Sequence, residues 1–189
     1  MVGFSEKIND PMYENYRKKT RKWSFLFAII LAVVTIVGFV VYGEMSGQIK
    51  MPHSLFYGLG IGALFIVIAL LQEVKRKTDT TWDGVVADRQ ILQKTERVRY
   101  GNKMKTVPYT LYVLKVKRDD GKIFTHSVRD NRTIFDYYQI GERVRHHKGF
   151  SYYEKYDKSK DSKILCVACL TFNDIHDDFC KKCKVPLLK

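Results

Sequence analysis

Two stretches without a charged residue, 23–42 and 55–72, constrain this chain more than any other feature. A helix needs about 20 apolar residues to cross a hydrocarbon core of about 30 Å. The first run begins at Trp23 and ends at Tyr42, where interfacial aromatics are expected. It is too long for the apolar segment of a signal peptide, about 7–15 residues, and bulky residues rather than a small-residue cleavage site end it. It is therefore expected to be retained. The second run follows Pro52, which suits a helix start. The expectation is a transmembrane helical hairpin over 23–72. The mean hydropathy of -0.24 hides this, because it averages two oily runs with a polar remainder.

Lys and Arg set the expected orientation. Arg17, Lys18, Lys19, Arg21 and Lys22 abut the first run, and Lys75, Arg76 and Lys77 follow the second. The connection over 43–54 has only Lys50. Positive residues stay on the cytoplasmic side, so both termini are expected inside a multi-pass protein of the cell membrane. The eight juxtamembrane bases should attract anionic headgroups, at about 1 kcal/mol each near the surface. Gly58 and Gly62 form a small-xxx-small pair, suited either to a second copy or partner or to packing on the first helix. Gly58, Gly60 and Gly62 do not form a nucleotide loop: no strand precedes them and they lie inside an apolar span.

The net charge is +13. Residues 1–22 form a basic segment, and residues 73–189 hold 26 Lys/Arg against 16 Asp/Glu. Such an excess favours anionic partners, lipid or nucleic acid.

Over 80–150 the pattern changes to period two. Trp82–Arg89 reads as a strand, Gln90–Tyr100 as a weaker one, and Val107–Lys117 as a third. Gly101-Asn102 and Asp119-Asp120-Gly121 read as turns. Lys122–Val128 returns as a strand, Asn131–Gln139 suits one helical turn, and Gly141–His147 closes the series. The expectation is a small antiparallel β-barrel or sheet, SH3-like or OB-like. His126, His146 and His147 are expected as exposed side chains on a basic strand. Residues 151–163 read as an aromatic and basic linker. Phe150, Tyr152, Tyr153 and Tyr156 alternate with Lys148, Lys155, Lys158, Lys160 and Lys163, a pattern that can also stack on single-stranded nucleic acid.

All four cysteines fall within 164–189: Cys166, Cys169, Cys180 and Cys183. Two C-x2-C knuckles separated by ten residues suit one tetrahedral metal held by four thiolates. Zn2+ fits such a closed, soft site, and iron in a rubredoxin-like site uses the same ligands. His176, between the knuckles, is expected to be free. Two disulfides would need an oxidising compartment, against the cytoplasmic side expected for this tail.

These cysteines, with Phe179 before the third, resemble the short bacterial zinc-ribbon family. Leu170 and Lys184 stand where that family has Gly. The resemblance covers about 20 residues and implies a structural or interaction role. The whole chain also resembles two-helix membrane proteins of Gram-positive bacteria, which implies no particular activity. No Gly-x-Ser-x-Gly elbow, His-Glu-x-x-His helix or P-loop is present. The expected function is a non-enzymatic adaptor or accessory subunit for a protein partner or a second copy. Nucleic-acid binding and a redox or metal-dependent enzyme are the alternatives.

Overall fold

Helix α1 runs from Pro11 to Ser46 and α2 from His53 to Thr78. They are seen in a computed structural model, which describes residues 1–47 and 51–189. Lys50 lies outside the described residues. Both helices outrun their apolar stretches. Asp10 caps α1 by accepting from the Met12 amide at 2.8 Å, and Pro11 occupies the first turn, where no amide bond is lost. The basic residues 17–22 are thus a helical extension, not a separate tail. The apolar windows of the two helices are only 11% and 17% buried, and Phe27, Val34, Phe56 and Leu71 are exposed. Both helices are long and apolar enough to cross a membrane.

Glycine sets the closeness of α1 and α2. A Cβ at Gly58 would stand 2.9 Å from Ile36 Cα, and one at Gly62 would stand 3.3 Å from Ala32 O. Gly60 faces open space. Gly58 and Gly62 thus both lie against α1.

Residues Met1–Ile8 and Thr80–Lys189 form a second compact unit. Its main strands are β1 Trp82–Tyr100, β2 Lys103–Arg118, β3 Ile123–Arg129, β4 Arg143–His146 and β5 Tyr153–Lys155. They form one antiparallel sheet in the order β3-β2-β1-β4-β5. A short helix, α3 Thr133–Tyr137, links β3 to β4, and a hairpin of β6 Lys163–Leu165 and β7 Phe172–Asp174 makes a second sheet.

No closed barrel forms, which corrects the barrel expectation. Closure requires strands of matched length and stagger. Here β4 and β5 have four and three residues, whereas β1 has 19. The sheet stays open. Beyond Thr110 and Gln93, β1 and β2 continue as a two-stranded ribbon with no third strand among the described residues.

Gln90–Tyr100 is not a separate strand. A register shift between Val86 and Asp88 inserts one extra residue. Trp82, Gly84 and Val86 face the core before it. Afterwards the odd-numbered Arg89 and Ile91 pair with Leu114 and Tyr112 on that same face.

The core joins Trp82, Val86, Leu114, Val116, Tyr138, Val144 and Tyr153 to Leu165 of β6. Trp82 stacks on Phe124 at 4.5 Å and on His146 at 5.1 Å. The Tyr138 hydroxyl donates to the Tyr153 carbonyl at 2.6 Å, so this buried phenol keeps a partner.

Two expectations are overturned here. His147 is buried, with Nε2 2.7 Å from Glu154 Oε2, and the His126 ring lies 2.6 Å from the Tyr153 hydroxyl. Neither is an exposed histidine. The tract read as a linker supplies β5, and Phe150, Tyr153, Lys155 and Lys158 are buried. Lys155 reaches Glu142 at 2.8 Å and Asp161 at 2.9 Å, which keeps its buried charge paired.

The first residues complete this unit. The Gly3 amide donates to the Tyr156 carbonyl, and the Lys158 amide donates to the Met1 carbonyl, both at 2.8 Å. Phe4 packs edge-on to Tyr156 and lies 4.1 Å beneath the Arg145 guanidinium.

Candidate metal centre

Two backbone turns of matching design carry the cysteines. In the first, the Cys166 amide donates to the Thr171 carbonyl at 3.0 Å and the Leu170 amide to the Cys166 carbonyl at 2.8 Å. In the second, the Cys180 amide donates to the Val185 carbonyl at 2.8 Å and the Lys184 amide to the Cys180 carbonyl at 2.9 Å. Leu170 and Lys184 both take left-handed φ values, 60° and 63°. That backbone favours glycine, and a side chain there costs about 1–2 kcal/mol. The knuckles form despite the missing glycines.

The four Sγ atoms lie within 4.8 Å of one another. Cys166 and Cys183 sulfurs are 3.6 Å apart, and those of Cys169 and Cys180 are 3.5 Å apart. A tetrahedral ion with metal–sulfur bonds of about 2.3 Å sets its sulfurs about 3.8 Å apart. The donor set therefore fits one metal ion. Four thiolates would fill a tetrahedral ion's coordination and leave no position for water or substrate.

Backbone amides support the charge that a metal would neutralise. Burial pushes the Cys166 thiol strongly up, against the amides of Cys169 and Ala168 that face its sulfur. Burial raises Cys180 too, but the amides of Cys183 and Lys182, with the neighbouring Cys169 and Cys183 side chains, outweigh that, and its thiol falls to about 7. Burial raises Cys183 to about 11. A metal replaces the proton on each sulfur, so binding releases protons and strengthens with pH.

Asn173 is a site residue that the sequence reading missed. Its amide nitrogen lies 3.7 Å from Cys180 Sγ and donates to the Thr171 carbonyl at 2.8 Å. Its oxygen accepts from the Lys181 amide at 2.9 Å. One side chain thus ties β7 to both knuckles and fixes the position of a candidate ligand sulfur. Cys169 Sγ lies 3.3 Å from the Thr171 hydroxyl oxygen. His176 is not among the converging ligands.

The cysteine hairpin is not an independent ball. Leu165 belongs to the main core, Leu170 and Phe172 pack against it, and Phe172 meets Tyr137 edge-on at 5.3 Å.

The bases that flank the apolar runs fall in two places. Arg21 pairs with Glu73 of α2 at 2.9 Å, and Lys18 pairs with Glu14 at 2.7 Å on an exposed face of α1. Lys75, Arg76 and Lys77 form the last turn of α2, where cations complement the helix dipole. Arg17, Lys19 and Lys22 lie on the same extension of α1.

No family model matches the chain, and no curated protein or solved structure is significantly similar to it.

Proposed function

We propose that this protein is a membrane-anchored adaptor. α1 and α2 cross the cell membrane as a multi-pass anchor, both ends of the chain face the cytoplasm, and a zinc ion completes the C-terminal ribbon. A protein partner adds an extended segment to the β1–β2 ribbon. The observation that carries this reading is the bare outer edge of β1 from Asp88 to Tyr100, the longest unpaired strand edge among the described residues.

An unpaired edge is a template for another strand. Ile91, Leu92, Tyr100 and Met104 are exposed along the ribbon and offer apolar contacts. Lys94, Arg97, Arg99, Lys103 and Lys105 against Glu96 make it basic, so two copies would repel and an acidic segment would not. The closed four-thiolate geometry supports a structural metal, because a catalytic zinc keeps an open position. Leu165, Leu170 and Phe172 would tie such a metal to the main core.

The hairpin anchor has a second support beside hydropathy. Met1–Ile8 precede α1 yet share a compact unit with Thr80–Lys189, which follow α2. Two spans meet that condition, since they return the chain to the side it left. The basic clusters at residues 17–22 and 75–77 favour the cytoplasm as that side.

The nucleic-acid alternative rested on the aromatic and basic tract at 148–163. Phe150, Tyr153, Lys155 and Lys158 of that tract are buried, which leaves the reading to the basic ribbon alone. Photo-crosslinking in native membranes decides between them, with the reactive residue placed at Leu92 or Tyr100 and, as a control, at exposed Ile140. The adaptor reading expects one discrete protein adduct from the ribbon positions and none from Ile140. A nuclease-sensitive adduct would favour nucleic acid, and equal labelling at all three positions would sink both.

A further inference from the structure

Where the cationic ends of α1 and α2 meet their apolar runs, the helices enclose a cleft of about 470 Å³. Lys18, Arg21 and Lys22 line it from α1, on one helical face by their spacing. Arg76 lines it from α2, while Phe25 and Leu70 lie further into the apolar runs. Glu73, the acid of the lining, is engaged by Arg21, and Lys18 is engaged by Glu14. Arg76 reaches the Ser24 hydroxyl oxygen at 3.4 Å, and Lys22 has no ion pair among the described residues. Two cations are thus left to face an anion.

We propose that this cleft binds one anionic phospholipid, with its phosphate against Lys22 and Arg76 and its acyl chains along Phe25 and Leu70. The inference rests on the membrane reading above. Arg is suited to paired hydrogen bonds to phosphate oxygens, and Lys adds a compact charge. A free phosphate would satisfy the cations but leave the apolar end uncovered. A lipid matches both ends in the order that the bilayer imposes. Arg17, Lys19, Lys75 and Lys77 are outside the lining. That separates a cleft from a general surface attraction, which would treat all eight bases alike.

The test uses the full chain in nanodiscs of phosphatidylcholine with about one third phosphatidylglycerol. Entry into the disc is read first, by co-elution with the scaffold; failure there defeats the membrane reading and this inference with it. Lipids retained after gentle extraction are then counted by native mass spectrometry. The cleft variant Lys22→Gln/Arg76→Gln is set against the charge-matched Lys19→Gln/Lys75→Gln, both checked for unchanged helical content. The expected result is one retained phosphatidylglycerol in the parent and in the second variant, and about a tenfold loss in the first. Equal losses in both variants, equal retention of the two lipids, or displacement of the lipid by millimolar inorganic phosphate would each overturn the proposal.

Discussion

Lys158 donates its ammonium to Glu154 Oε1 across 2.7 Å, with both side chains only 1% exposed. The same oxygen accepts from the Ser5 amide at 2.7 Å, and Lys158 also reaches the Gly3 carbonyl at 3.0 Å. His147 holds the other carboxylate oxygen. The pair is thus a clasp that joins the first residues of the chain to a sheet 149 positions away.

Breaking a buried pair leaves an uncompensated charge and costs about 3–5 kcal/mol. Lys158→Ala should therefore lower the thermal stability of the sheet unit by that order and free residues 1–8 to proteolysis. Limited digestion of the purified full chain, followed by N-terminal sequencing, checks it. An unchanged digestion pattern would mean that the clasp contributes nothing.

Leu170 and Lys184 hold the same left-handed backbone, yet their side chains differ in use. Leu170 packs on the core, whereas Lys184 is exposed. Lys184→Gly should raise stability by about 1 kcal/mol, by removing the Cβ penalty. Leu170→Gly should gain less or lose, since packing goes with it. Thermal midpoints of the metal-loaded protein compare the two directly.

Of the three α2 glycines, Gly58 leaves the least room for a Cβ against α1. Gly58→Ala should force them apart and cost about 1 kcal/mol, overpacking being partly offset by helix propensity. Gly60→Ala, facing open space, should be neutral or slightly stabilising. Hydrogen exchange of α2 in detergent micelles reads the difference, and equal protection in the two variants would refute close packing at Gly58.

Burial lowers the His126 ring below its ordinary 6.5, with His146 adding to the effect. Near that pH the unfolded chain takes up a proton that the folded chain refuses. The stabilisation is thus complete above about pH 6.5 and is lost as pH falls through the lowered value. His126→Gln should flatten the stability slope between about pH 7 and pH 5. The parent-minus-variant difference isolates the ring, because any acid-driven metal loss affects both proteins. A difference that does not change with pH would contradict the assignment.

The two apolar helices and the cysteine cluster are plain in the sequence, because each depends on local spacing. Uncharged length marks the helices, and the paired C-x2-C steps mark the knuckles. Both hairpin turns, at Gly101-Asn102 and Asp119–Gly121, are also legible, since positive φ at Gly101 and Gly121 is a local demand. What stays hidden is non-local. The extra residue after Val86 inverts the alternation, so one long strand reads as two. Glu154, Lys158 and His147 look like surface residues until the chain start folds over them. Asn173 gives no signal beyond lying between the knuckles. The barrel expectation fails because periodicity reports strand faces, not whether the outer strands are long enough to close.

The claim of a structural zinc is tested most directly by metal analysis of the full chain purified from membranes without added metal. The expected result is one zinc per chain, no iron, and loss of that zinc in Cys180→Ser, with residues 164–189 becoming protease-sensitive while membrane insertion is kept. One iron per chain with visible absorbance, or a metal-free protein whose 164–189 segment stays protease-resistant, would contradict it.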